Sequence, residues 1–168
     1  MNRARIIPRD TWTPLTSVML VLCLASVGVR LAGAVVPEDD IIADSRLELL
    51  QRAEAGSYQS YSITLVTREG TTTLSTNKDG AQAVHTVPLE ETLALWRNVI
   101  DAGLETLTDA SPEIPMPDQS EFTVRYRVKD IKGGFTASGV ESLPDGRYRK
   151  LIEGILNFAD ARVARSGR

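Results

Sequence analysis

Side chains able to do acid–base or metal chemistry are few in this 168-residue chain and lie far apart along it. His85 is the single histidine and Cys23 the single cysteine. A histidine works as a general base only beside a nucleophile or a positioned water. No such set stands near His85, which reads as a surface residue at the end of a strand. Zinc sites draw on several Cys and His ligands, so the usual donors are missing and no metal or cofactor is expected. Glu38-Asp39-Asp40 is a run of three acids that cannot all point at one ion and reads as solvated, so Asp109, Glu113, Asp118 and Glu121 are the set a small carboxylate-based hydrolase would work with. Arg125 and Arg127 stand two apart in an alternating stretch, which puts both guanidinium groups on one face of a strand. Such a face is a candidate docking surface. Arg125, Arg127, Asp109, Glu113 and Asp118 are therefore the candidate partner-binding residues, and no catalytic residue is assigned. The chain has no G-x-S-x-G, no H-E-x-x-H, no Walker loop and no dinucleotide fingerprint. Asn77 to Gly80 lacks the repeated acids and distal glutamate of a calcium loop. Gly133-Gly134 has no helix after it, as a phosphate loop would need, and reads as a hairpin turn.

The two arginines need a strand to carry them. Phe122, Val124, Tyr126 and Val128 alternate with Thr123, Arg125 and Arg127, so Glu121–Lys129 predicts a half-buried strand. Asp130 to Gly134 then turns the chain and Phe135 to Val140 returns it. Upstream, Tyr61, Ile63, Leu65 and Thr67 predict a strand over Ser60–Thr67. Arg68-Glu69-Gly70 is a tight turn into the threonine-rich Thr71–Thr76, which is prone to pair. Ala81–Thr86 is a third, weaker strand. Leu89, Leu93, Trp96 and Ile100, widened by Leu95 and Val99, recur at helical spacing. They predict a central helix that begins at Pro88 and is ended by Gly103, with Trp96 in the core. A second helix follows Pro144-Asp145-Gly146, with Asp145 as its N-cap and Tyr148, Leu151, Ile152, Ile155, Phe158 and Ala159 as its buried stripe. Thr108–Ser120, with Pro112, Pro115 and Pro117, is a surface loop. Ser45-Arg-Leu-Glu48 has the capping-box pattern and predicts a short helix running to Gly56.

The first 34 residues differ in kind. Arg3, Arg5 and Arg9 precede the uncharged run Leu15–Val29, then Arg30 and Ala32-Gly33-Ala34. Basic, apolar, then small-x-small is the layout of a secretory signal peptide cut after Ala34. Left uncut, the run is a candidate anchor, although a spanning helix needs about twenty apolar residues. Either outcome places the body outside the cytoplasm, secreted or periplasmic, or held at the membrane by residues 15–29. A chain without cysteine after that cut suits an oxidising compartment. The remaining residues hold 15 basic and 21 acidic side chains, a balance of −6, with no footprint for nucleic acid. Residues 35–44 read as an acidic linker, 45–160 as one domain and 161–168 as a frayed tail. The expected fold class is α+β. Four to five antiparallel strands carry two main helices on one face, in a ββαββα-like order, with a short helix at the N-terminal side.

From Tyr61 to Asp160 the order of parts resembles the emfourins, small bacterial inhibitors of thermolysin-like metalloproteases. The likeness lies in the opening strand with its glycine turn, the helix LEETLALWRNVIDAGLETL, the proline loop, the stretch PDQSEFTVRY and the final proline-led helix. It covers about a hundred residues. Arg68-Glu69-Gly70 stands where that family carries a Gly-Gly turn implicated in inhibition, so no site residue carries over. The expected function is a non-enzymatic extracytoplasmic domain that binds a protein, with protease inhibition as its narrower form. A membrane-anchored accessory protein of the envelope and the carboxylate hydrolase are the alternatives.

Overall fold

Alternating side chains of six strands, mostly apolar on β3, β4 and β7, build one face that is buried beneath two amphipathic helices. The computed structural model describes residues 28–31, 34–52, 60–114 and 119–166. The fold is α+β. Strands β1 (Gly28–Leu31) and β2 (Ala34–Pro37) form an antiparallel hairpin. Helix α1 (Glu38–Ala43) follows, then β3 (Asp44–Arg52), β4 (Ser60–Arg68), β5 (Thr71–Lys78) and β6 (Ala81–Val87). Helix α2 (Leu89–Asp101) leads to β7 (Glu121–Val128) and β8 (Ile131–Ser138). A 3-10 turn at Val140–Ser142 precedes helix α3 (Arg147–Ser166). The main sheet is antiparallel throughout, in the order β6-β5-β4-β3-β7-β8.

The core lies between this sheet and the pair α2 and α3. Leu47 and Leu49 of β3 meet Ile63 and Leu65 of β4 on one side and Val124 and Tyr126 of β7 on the other. From α2 come Leu95, Trp96, Val99 and Ile100, and from α3 Leu151, Ile152, Ile155 and Ala159. Trp96 is fully buried, the most apolar area a single side chain here can remove from water. Leu89 and Leu93 are only half-buried, and Thr92 takes the inner position between them. Its hydroxyl is satisfied by the Pro88 carbonyl at 3.1 Å. Gly103, with φ of 89°, turns the chain after α2, and Leu104 and Leu107 fold back into the core.

Several expectations are corrected. The segment from Ser45 is not a helix but β3, a central strand with neighbours on both sides. Its alternation of Ser45, Leu47 and Leu49 inward with Arg46 and Glu48 outward wins over the capping-box pattern, because a strand there fills a sheet that would otherwise be split in two. Six strands therefore replace the expected four to five. The short helix lies upstream instead, within the segment expected to be an acidic linker. There Ile41 of α1 is fully buried, and the turn after β4 donates to α1, Glu69 N to Ala43 O and Gly70 N to Ile42 O, both at 3.0 Å. Gly133-Gly134 is not the hairpin turn. The turn is at Lys129, which takes a φ of 49°, and both glycines lie within β8 opposite Tyr126 and Arg125. Helix α3 runs past Asp160, the expected start of fraying, to Ser166. Its Arg162 and Arg165 pair with Glu91 of α2. The proposed leader, residues 1–34, lies almost wholly outside the described residues. No described helix is long and apolar enough to cross a membrane.

Candidate functional site

With both main helices on one face, the other face of the sheet has no helix over it among the described residues. Strand register fixes what that face presents. One lateral row runs Lys132, Arg127, Arg46, Val66, Thr73 and Thr86. The next runs Gly134, Arg125, Glu48, Thr64, Ser75 and Val84. In these two rows the β4–β5–β6 end is hydroxyl-rich and neutral, and the charge lies over β3, β7 and β8.

At the charged end the sheet forms a depression of about 510 Å³. It is lined by four cationic side chains, Arg46, Arg125, Arg127 and Lys132, and two carboxylates, Glu48 and Asp109. Gly134 makes the hollow. A Cβ there would collide with the Val124 carbonyl and the Arg125 Cα, so only glycine lets β8 approach β7 this closely, and no side chain rises beside Arg125. Gly133 plays the matching part on the inner face, where the Tyr126 ring lies against it. Burial, and then the charge of Glu105, hold the Tyr126 hydroxyl above its usual pKa.

Cations aligned across neighbouring strands repel one another. Here Arg127 donates to Asp44 at 3.0 Å and Arg46 Nε to Glu48 at 2.7 Å. Arg125 and Lys132 have no ion pair among the described residues, so they hold the uncompensated positive charge of the depression. That charge is local, because the body as a whole is acidic.

The candidate residues do not all come together. Arg125 and Arg127 come together on the open face. Asp109 reaches the rim of the same depression, where its carboxylate accepts from Thr136 N at 2.7 Å. It also helps close the edge of β8, since Ala110 forms a parallel bridge to Ala137 and exchanges backbone bonds with Thr136 and Ser138. The start of the proline loop is in this way a packed edge and not a free loop. Glu113 is exposed and does not line the depression. Asp118 lies outside the described residues. Glu121 sits on β7 facing Arg52, 3.9 Å away, with β8 between it and Asp109. No three His, Cys, Asp or Glu side chains gather as a metal-ion cluster among the described residues. His85 lies on the inner face of β6 opposite Leu74.

Sequence reasoning missed Arg46, Glu48 and Lys132. The signal for the first two was the same period-two alternation that gave Arg125 and Arg127, masked by the helix-like spacing of Leu47 and Leu50. Lys132 was hidden by starting the return strand at Phe135, four residues after its actual start at Ile131.

Compared with known proteins, this sequence matches no family model and no curated protein.

Proposed function

We propose that this chain is a non-enzymatic binding domain that works outside the cytoplasm and docks an acidic segment of a protein partner on its open sheet face. The observation that carries this reading is the cationic depression around Arg125 and Lys132 in a body of net negative charge. A groove of one sign attracts a partner of the other and speeds the encounter. The floor at Gly134 leaves room for a partner's backbone beside the guanidinium groups, and guanidinium matches carboxylate with two parallel hydrogen bonds. The basic, apolar and small-residue leader supports delivery across the membrane.

Inhibition of a thermolysin-like protease is the narrower form, supported by the resemblance of the segment order to emfourins. If this chain inhibits, its contact is unlike a glycine turn offering free amides, because the N–H groups of Glu69 and Gly70 are already bonded to α1.

The test is capture from a cell-envelope extract on the immobilised chain, repeated with Arg125→Glu/Arg127→Glu and in high salt. A specific acidic partner should be retained by the natural chain, and its affinity should fall at least tenfold in the variant, roughly 1.4 kcal/mol or more. It should also weaken as salt screens the charges. Equal retention by both chains removes the open face from the proposal.

A further inference from the structure

We infer that the outer edge of β6 pairs with β6 of a second copy of this chain, antiparallel about a two-fold axis at Val84, so that two six-stranded sheets become one. This surface is at the opposite end of the sheet from the Arg125 depression and stands independently of it.

The two edges of the sheet are built differently. An exposed edge presents unpaired N–H and C=O groups, and proteins guard it with lysine, proline, a bulge or a covering segment. The β8 edge is guarded: Ala110 bridges to Ala137, Asp109 takes the Thr136 N–H, and Lys132 lies on the strand. The β6 edge has none of these among the described residues. Its seven residues, Ala81-Gln-Ala-Val-His-Thr-Val87, include no charge, no proline and no glycine. They pair with β5 in unbroken register from Lys78↔Ala81 to Thr72↔Val87, so no bulge twists the edge away. Val84 is 67% exposed, a large apolar side chain standing free on this edge.

A second copy fits this edge because the strand complements itself. A two-fold at Val84 sets Val84 against Val84 of the second copy, Ala83 against His85, Gln82 against Thr86 and Ala81 against Val87. On the open face the two valines meet, flanked by Gln82–Thr86 pairs that can hydrogen-bond. On the inner face each small alanine lies beside the larger histidine. No like charges oppose each other, whereas a charged strand from another protein would find no counter-charge here. Gly80, at φ of 86°, and Pro88, which has no N–H, bound the pairing at its two ends. Residues directly opposite in an antiparallel pair point to the same side, so the open faces of both copies look the same way. The two Arg125 depressions then stand on the order of 40 Å apart, from strand spacings of about 4.8 Å. A seven-residue strand spans about 23 Å and buries less than a standard interface, so the dimer forms in a concentration-dependent equilibrium.

Disulfide trapping in the full chain, with Cys23→Ser as background, tests the pairing and its register. Across an antiparallel pair the Cα atoms are about 4.5–5.5 Å apart, within disulfide reach. Val84→Cys should give a disulfide-linked dimer as its main oxidised product. Gln82→Cys and Thr86→Cys should each stay largely monomeric alone and cross-link when mixed. Arg125→Glu/Arg127→Glu added to Val84→Cys should leave the yield unchanged. Absence of the Val84→Cys dimer at near-millimolar protein, in a variant that unfolds at the same temperature as its background, overturns the inference. So does equal cross-linking of all three single variants, which marks random collision, or capture of Val84→Cys on other proteins in preference to itself.

Discussion

Glu69 sits in a backbone conformation that its side chain does not favour. Its φ is 48° and that of Gly70 is 77°, the left-handed pair of a tight hairpin turn. Both N–H groups donate to α1, so the turn is held by backbone bonds alone and its side chain is exposed. Asparagine tolerates this region far better than glutamate, and Asn-Gly is the preferred pair for such a turn. Glu69→Asn should stabilise the protein by about 0.5–1 kcal/mol, read as a higher denaturant midpoint with an unchanged slope. A lower midpoint would mean that the Glu69 side chain makes a contribution the turn geometry does not show. At this scale the candidate site was half legible. Arg125 and Arg127 follow from strict alternation about Val124, Tyr126 and Val128. Gly134 was not legible, because a glycine needed for close approach between strands looks in sequence like a glycine needed for a turn.

Among the elements, β3 decides the architecture. It joins the β4–β5–β6 half of the sheet to the β7–β8 half, and its position makes Leu47 and Leu49 core residues while Leu50 faces outward between Ser62 and Thr123. A helix from Ser45 would instead bury Leu47 and Leu50. Substitution separates the two arrangements. Leu49→Ala should cost about 2–5 kcal/mol by loss of transfer energy and a cavity, and Leu50→Ala about 1 kcal/mol or less, measured by chemical denaturation of each variant. Equal costs, or the reverse order, would contradict a strand at this place. The α2 and α3 stripes were readable because thirteen or more residues repeat one period, with Pro88 and Asp145 marking the starts. For α3 the Asp145 carboxylate accepts the Arg147 N–H at 3.0 Å, and hydrogen bonds from the Arg147 guanidinium, followed by this backbone bond, hold its pKa below the usual value. In β3 only nine residues speak, and leucines at 47, 49 and 50 satisfy both periods. Its partners lie up to about eighty residues away, and no local pattern reports them. Helix α1 was hidden for a related reason: its six residues are too few to show a period, and three acids at its start look like a solvated run.

At the scale of the whole molecule, stability in alkali depends on how the sheet is tied to α3. The Tyr61 hydroxyl of β4 donates to Asp160 Oδ1 of α3 at 3.0 Å. Burial, then that hydrogen bond and the negative charge of Asp160, push the Tyr61 pKa up to about 12. The bond exists only while the phenol keeps its proton. In the unfolded chain tyrosine ionises near its ordinary value of about 10, so the unfolded state releases its proton first as pH rises. The contribution of Tyr61 to stability is therefore complete below about pH 10 and is lost progressively between about 10 and 12. Any pH dependence that does not involve Tyr61 is common to the natural and variant chains and gives both the same background slope. The Tyr61→Phe chain should be less stable at pH 9, where the bond is lost, and its urea midpoint should fall less steeply towards pH 11.5 than that of the natural chain. Converging midpoints assign the linkage to Tyr61–Asp160. Parallel curves over that range would show that the hydroxyl is as free to ionise in the folded protein as in the unfolded one, and that the sheet and α3 are held together here by the apolar contacts of Trp96, Leu151 and Ile155 alone.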